Sequence, residues 1–191
     1  MPSKETSSTS PRKRKKPARH TMQRTEDSPL PLVDTRVSPQ KVGLRERQLW
    51  KNLRDATKKE RPGISLTRLE TWATPGVPDV MACDEAGNFH LIELKHTGTA
   101  IVELRPHQVA FLTAHKRASV WLLVRRLHTH ENRETSELFL YRGGQALDVR
   151  MNGLHVEPAL YWTYPFGWNE LWGLIAPIDA HKVPPEPHGA A

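Results

Sequence analysis

The apolar run Val120-Trp121-Leu122-Leu123-Val124 constrains the fold more than any other part of this sequence. A strand with apolar side chains on both faces is typical of a sheet that is covered on both sides. Apolar residues at helical spacing over about 44–59 and over 104–118 predict two covering helices, the second with Pro106 near its start. The sequence therefore predicts an α/β fold in which helices flank a mixed sheet.

Three segments between these helices have the composition and alternation of short strands. They cover residues 64–69, 79–83 and 89–95, and the turn residues 84–88 join the last two as a hairpin. The predicted order through residue 130 is thus α-β-β-β-α-β. Beyond it, over residues 131–175, we predict an aromatic-rich extension packed on the core. We also predict a further hairpin there, which runs from Glu137–Tyr141 through Gly143-Gly144 to Gln145–Val149.

The first 40 residues differ in composition from the rest of the chain. They hold nine Lys or Arg and four Asp or Glu, so +5 of the formal net charge of +7 lies there. A basic segment rich in Ser, Thr and Pro cannot bury enough apolar surface to fold, and we predict that residues 1–40 are disordered. We expect residues 176–191 to form a flexible tail.

The basic cluster 12–16 within the first segment has three open interpretations. It is a solubilising run, an arm that binds phosphate, or a nuclear import signal. In the second case the residues that contact DNA would be Lys13, Arg14, Lys15 and Lys16.

Cys83 is the single cysteine of the chain, which excludes an internal disulfide framework and a zinc site built on paired cysteines. No apolar run approaches the roughly 18 residues that span a membrane. We therefore expect no membrane partner and a cytoplasmic protein, in the host cell if the chain is viral. A nuclear location is the alternative if the basic cluster is an import signal.

Two carboxylates and an ammonium are predicted to meet at one end of the sheet. Side chains alternate along a strand, so Glu93 and Lys95 share one face while Ile92 and Leu94 point to the other. An antiparallel strand that begins at Asp79 brings a second carboxylate beside Glu93. Adjacent carboxylates repel unless a cation lies between them, and oxygen ligands favour Mg²⁺ or Mn²⁺. Lys95 could then act on the water that attacks a phosphodiester.

Four motifs follow one another along the chain: Gly76-Val77-Pro78-Asp79-Val80, Leu91-Ile92-Glu93-Leu94-Lys95, Leu104-Arg105-Pro106-His107-Gln108 and Val124-Arg125-Arg126. In these motifs the sequence resembles the PD-(D/E)XK nuclease superfamily, and in particular its branch of VRR-NUC domains and phage-type nucleases. The resemblance covers residues 44–126. It implies a restriction-endonuclease-like core over residues 41–130.

The resemblance also assigns roles to individual residues. The implied metal ligands are Asp79, Glu93 and the backbone carbonyl of Leu94. Lys95 would act on the attacking water, and Gln108 would orient the substrate or the lysine from the second helix. A further acid would bind metal through water or a second ion, and Glu46 and Glu70 compete for that place.

These features predict a metal-dependent endonuclease that hydrolyses branched or otherwise structured DNA, the substrates on which members of this family often act. The expected phosphate contacts outside the site are Lys116, Arg117, Arg125 and Arg126. Nucleases of this fold often dimerise, and a homodimer stays open here, as does RNA as the substrate. The alternative is a non-catalytic DNA-binding protein, or an assembly protein of a virus particle or packaging machine, that retains the nuclease fold.

Overall fold

Within the described residues, six strands form one open sheet in which their spatial order follows their order along the chain. The computed structural model describes residues 39–69, 75–130 and 133–178. The strands are β1 Ser65–Arg68, β2 Val80–Cys83, β3 Phe89–Thr97, β4 Val120–His130, β5 Arg133–Arg142 and β6 Leu160–Thr163. The α-helices of this region are α1 Pro39–Glu60, α2 Pro106–Ala114, α3 Ala146–Asn152 and α4 Trp168–Ile175.

The sheet is mostly antiparallel, and β3 with β4 is the parallel pair among the described strands. A parallel neighbour requires a crossover, which the loop 98–105 and helix α2 supply. The predicted element order α-β-β-β-α-β is confirmed by the succession from α1 to β4. The mixed α/β fold is confirmed as well.

Two apolar clusters cover the two faces of the sheet. On one face, Leu49 and Leu53 of α1 and Trp172 of α4 pack against the buried side chains of the strands. On the other face, Leu112 of α2 and Val149 of α3 do the same. Strand β4 contributes buried side chains to both clusters, as its apolar run predicts.

The hairpin predicted over Gln145–Val149 is wrong. The chain makes a 3₁₀ turn over Gly143–Gln145 and then enters α3, while β5 forms its hairpin pairing with β4. The physical reason is visible in α3, where Ala146 and Val149 stand three residues apart and both are buried in the second cluster. That spacing belongs to a helix face, and a short apolar run can be read either way.

The aromatic-rich extension is built from β6 and α4. Its Trp172 is completely buried, and the indole Nε1 donates a hydrogen bond to Thr57 Oγ1 of α1 at 2.9 Å. Tyr164 in contrast is 74% exposed. The extension thus packs on the core through a contact between α4 and α1, which lie near opposite ends of the described chain.

The predicted disordered segment 1–40 overlaps the first two residues of α1, which begins at Pro39 because proline is well tolerated in the first turn of a helix. Residues 1–38, with the predicted DNA contacts at 13–16, lie outside the described residues, as do residues 179–191 of the predicted flexible tail. Among the described helices, none combines the length and the apolar character needed to cross a membrane.

Candidate active site

The β2–β3 hairpin brings Asp79 beside Glu93. Val80 pairs with Ile92, so the residue before β2 stands next to Glu93 on β3. The Asp79 carboxylate accepts a hydrogen bond from the Leu94 N–H at 2.9 Å, which ties the end of the hairpin together. The pairing of these two acids, predicted from the alternation of the strands, is present.

Glu93 is almost completely buried, with 1% of its surface exposed. Lys95 Nζ lies 2.9 Å from Glu93 Oε1, on the face predicted for both residues. Ile92 and Leu94 are buried in the cluster on the opposite face. The second carboxylate oxygen, Glu93 Oε2, is buried and has no hydrogen-bond partner among the described residues. A buried acceptor without a partner costs free energy, so this oxygen is a place where a ligand would be stabilised.

Helix α2 holds Gln108 over the two acids. Its side-chain Oε1 accepts a hydrogen bond from the Arg105 N–H at 2.9 Å, and its Nε2 donates to Glu93 Oε1. The amide is therefore fixed at one end by the start of its own helix. Gln108 contacts Glu93, and its predicted role in orienting the substrate or Lys95 stays a prediction.

Gly76 lets the turn before Asp79 lie directly against the start of α2. Its φ is 97°, which favours glycine, and a Cβ there would stand 2.5 Å from the carbonyl oxygen of His107. The Gly-Val-Pro-Asp motif and the helix that carries Gln108 are in this way packed together.

Glu46 lies close to the same group of residues, although its helix, α1, covers the opposite face of the sheet. Its Oε1 lies 3.9 Å from Lys95 Nζ, with 27% of the Glu46 side chain exposed. Burial raises the pKa of Glu46, and the nearby Asp79 adds to the rise although Lys95 opposes it. Glu70, the competing acid, lies outside the described residues.

The charged groups of the site lie close enough to shift one another's pKa values. Burial raises the pKa of Glu93 to about 7, with Lys95 opposing the rise and Asp79 adding to it. Burial alone would lower the pKa of Lys95, but Glu93 and Glu46 outweigh it and raise that pKa, so Lys95 keeps its proton. Three carboxylates thus surround Lys95, and Arg68 and Arg105 are further positive charges that act on Glu46.

The donor set fits a hard cation that brings its own waters. Asp79 and Glu93 offer carboxylate oxygens, including the unpartnered Glu93 Oε2, and oxygen ligands suit Mg²⁺ or Mn²⁺. In the described part of the chain, no group of three or more His, Cys, Asp or Glu side chains is arranged to hold a metal ion by itself. Mg²⁺ usually keeps several waters and takes one or two carboxylates, so two acids with substrate oxygens would suffice.

The predicted phosphate contacts are not all near this site. Lys116 and Arg117 come after the far end of α2, whose last residue, Ala114, lies about 9 Å along the helix from Gln108. Arg125 donates through Nε to Ser136 Oγ at 3.0 Å. Arg126 pairs with Glu137. The last pair belongs to a second polar cluster on the sheet.

This second cluster was not predicted from the sequence. Glu137 is buried with 6% exposure and contacts Arg126 and the hydroxyl of Tyr161. His128 Nδ1 lies 3.5 Å from the same carboxylate. The available signal was the acid at the start of the apolar segment Glu137–Tyr141, where a charge on a buried strand needs a partner.

Comparison with known proteins assigns no function to this chain, so the assignment rests on the geometry of the site. Neither a protein-family model nor a curated protein matches this sequence.

Proposed function

We propose that the chain is a Mg²⁺- or Mn²⁺-dependent nuclease of the PD-(D/E)XK type, with a restriction-endonuclease-like core, that hydrolyses phosphodiester bonds in branched or structured DNA. The observation that carries the proposal is the meeting of Asp79, Lys95 and Gln108 around Glu93, in the middle of β3. The element order α-β-β-β-α-β supports the same interpretation.

The roles of the residues follow from their contacts. Asp79 and Glu93, with the backbone carbonyl of Leu94, would hold the metal, which when bound polarises the phosphodiester and acidifies a water. Lys95 is protonated beside Glu93, so it would hold the attacking water and stabilise the negative charge that develops on the phosphate. Gln108 fixes the orientation of Glu93 by its hydrogen bond.

Glu46 would complete the site from α1. Its carboxylate near Lys95 would orient the ammonium or bind metal through a water. The buried setting of Glu93 strengthens each of these electrostatic interactions, because water screens them less there.

The rival function, a non-catalytic DNA-binding or packaging protein with this fold, would not require the acids and the lysine to meet. A buried carboxylate with an unpartnered oxygen costs stability. A purely structural descendant gains nothing from keeping that cost, which favours the catalytic interpretation.

A cleavage assay separates these functions. Plasmid, single-stranded and branched DNA and a structured RNA are incubated with the full chain in Mg²⁺, in Mn²⁺ or in EDTA. We expect metal-dependent cleavage of branched DNA and a loss of more than about 100-fold for Asp79→Asn and Glu93→Gln. The matched control, Asp148→Asn, removes an exposed carboxylate on α3 and should cut like the wild type.

Metal binding has a readout of its own. Mg²⁺ should raise the Tm of the wild type by binding the folded state, and it should not raise that of Asp79→Asn. A wild type that is inert on every substrate would overturn the proposal. So would acid variants that cut as well as the wild type.

A further inference from the structure

A cavity lies on the same face of the sheet as Glu93 and Lys95. Its volume is about 320 Å³. The residues that line it are Ala100, Arg126, Glu137, Phe139, Leu154, His155 and Tyr161. This volume lies at the lower end of the range of small-molecule sites, which is about 300–1,000 Å³. The cavity therefore has room for a ligand of about the size of one nucleotide.

The cavity is close to the candidate active site. Lys95 pairs with Val124 on β4, and Arg126 lies two residues further along that strand. Neighbouring strands are roughly 4.8 Å apart and two residues span roughly 6.7 Å, so the Cα atoms of Lys95 and Arg126 are about 8 Å apart. This separation suits neighbouring phosphates on one extended strand.

Arg126 is fixed in place with part of its guanidinium group free. Its Nε donates to Glu137, and its Cζ lies 5.8 Å from the centroid of the Phe139 ring. The two terminal nitrogens make no hydrogen bond to any described residue, and a guanidinium presents them in the geometry that phosphate prefers. Arg126 can therefore bind an anion without leaving Glu137.

Glu137 serves as the anchor of this group. Burial would raise the pKa of Glu137, but hydrogen bonds from Arg126 and Tyr161 outweigh it and lower that pKa, so the carboxylate stays ionised. Its oxygens are occupied by Arg126 and by the Tyr161 hydroxyl, the latter at 2.7 Å. The carboxylate thus fixes two side chains that face the cavity.

Tyr161 supplies an aromatic surface. Its ring packs on Phe139 with centroids 4.9 Å apart, and 47% of the residue is exposed. An aromatic ring that is held at its hydroxyl and exposed on one side is a platform on which a base can stack.

The opposite wall is also fixed. Gly153 has a φ of 61°, and a Cβ there would lie 2.0 Å from the Ala100 carbonyl oxygen. The Leu154 N–H donates to the same oxygen at 2.8 Å. The loop after β3 and the turn after α3 are thereby held together, with His155 beside them as a further donor.

We propose that this cavity binds one unpaired nucleotide of the DNA strand, with the base against Tyr161 and the phosphate on Arg126. The inference rests on the proposed nuclease function and narrows its substrate to DNA with an unpaired nucleotide next to the bond that is cut. A base paired within a duplex is stacked on its neighbours on both faces, so stacking on Tyr161 requires a base that has left the duplex.

The test measures DNA binding in EDTA, where no cleavage takes place. Fluorescence anisotropy compares two labelled duplexes of equal length, one blunt and one with a single-nucleotide flap, each with the full chain. The wild type should bind the flapped duplex more tightly. Tyr161→Ala should weaken binding to that duplex roughly tenfold and leave the blunt duplex unchanged, since stacking on one base contributes about this much.

Three further variants make the test specific. Tyr161→Phe keeps the ring and its packing on Phe139 but loses the bond to Glu137, so it should retain more of the preference than Tyr161→Ala does. Arg126→Lys keeps the charge but loses the forked geometry, and it should weaken the preference. Tyr164→Ala removes a tyrosine that is 74% exposed and does not line the cavity, and it should have no effect.

Equal binding of the two duplexes by the wild type would overturn the inference. An unchanged preference in Tyr161→Ala, or an equal loss in Tyr164→Ala, would do the same. Metal-dependent cleavage without a flap preference would reject the nucleotide cavity and keep the nuclease. A flap preference without any cleavage would reject the nuclease and keep the cavity.

Discussion

Asp84 closes the hairpin that places Asp79 beside Glu93, and its replacement by Asn should destabilise the whole chain. Its Oδ1 accepts hydrogen bonds from the N–H groups of Ala86 and Asn88 at 3.0 and 2.8 Å. Its Oδ2 accepts one from the Asn88 side chain at 3.0 Å and lies 3.1 Å from His90 Nε2. An amide in the variant cannot accept at both positions, because one of them becomes a donor.

The magnitude follows from the ionisation of Asp84. Burial would raise its pKa, but the hydrogen bonds from Asn88 and His90 outweigh it and lower the pKa from 3.8 to about 2. A pKa shift of one unit corresponds to about 1.4 kcal/mol. The shift from 3.8 to about 2 therefore means that ionised Asp84 contributes about 2 kcal/mol to the free energy of unfolding. This stability is complete above about pH 4 and is lost as the pH falls through about 2.

Urea unfolding followed by tryptophan fluorescence measures the effect. At pH 7 the midpoint of Asp84→Asn should lie about 1 M below that of the wild type. The difference should shrink between about pH 4 and pH 2. The control, Asp55→Asn, removes an exposed carboxylate whose ion pair with Arg54 is worth little, and its midpoint should not move. An unchanged midpoint in Asp84→Asn, or a difference that persists at pH 2, would refute the reasoning.

Two further predictions use pairs of residues that differ only in their relation to the site. The side chains of Gln108 and Gln145 each accept a hydrogen bond from the backbone N–H at the start of their own helical turn, and a glutamate at either position keeps that bond. Only Gln108→Glu places a further carboxylate against Glu93. We expect Gln108→Glu alone to reduce cleavage, by at least about tenfold, and equal losses in both variants would contradict this role. Gly76 and Gly87 both have positive φ, yet only a Cβ at Gly76 meets backbone, so Gly76→Ala should lower the Tm more than Gly87→Ala does. Equal shifts in Tm would show that the contact of the turn with α2 is not tight.

The strand alternation explains why the centre of the site could be predicted from sequence. Glu93 and Lys95 share a face because side chains alternate with a period of two, and a hairpin of known turn composition fixes the partner strand. Local patterns therefore sufficed to bring Asp79 and Glu93 together. The same argument placed Gln108 on the helix that follows but could not show which group it contacts, since that depends on the packing of α2.

The second half of the fold resisted prediction for the opposite reason. Residues 143–149 form a turn and a helix, where a hairpin was predicted. Two signals for a helix were present, namely Asp148 in the first turn of α3 and Gly153 after its end. Arg126 was expected to contact phosphate, but its pairing with Glu137 depends on the register of β4 with β5. Registers between strands are fixed by side-chain packing over the whole sheet, which a single sequence does not reveal.

The parallel pairing of β3 with β4 has a consequence for how this protein can diversify. The two strands run in the same direction, so the loop 98–105 after β3 and the paired strand ends 127–130 of β4 and 133–136 of β5 lie at the same end of the sheet. Both border the region around Lys95 and Arg126. Insertions or deletions there would reshape the surface around Lys95 and Arg126 while the packed layers stay unchanged. For the proposed nuclease, this means that substrate range can evolve through loop length without a change in the site or the core.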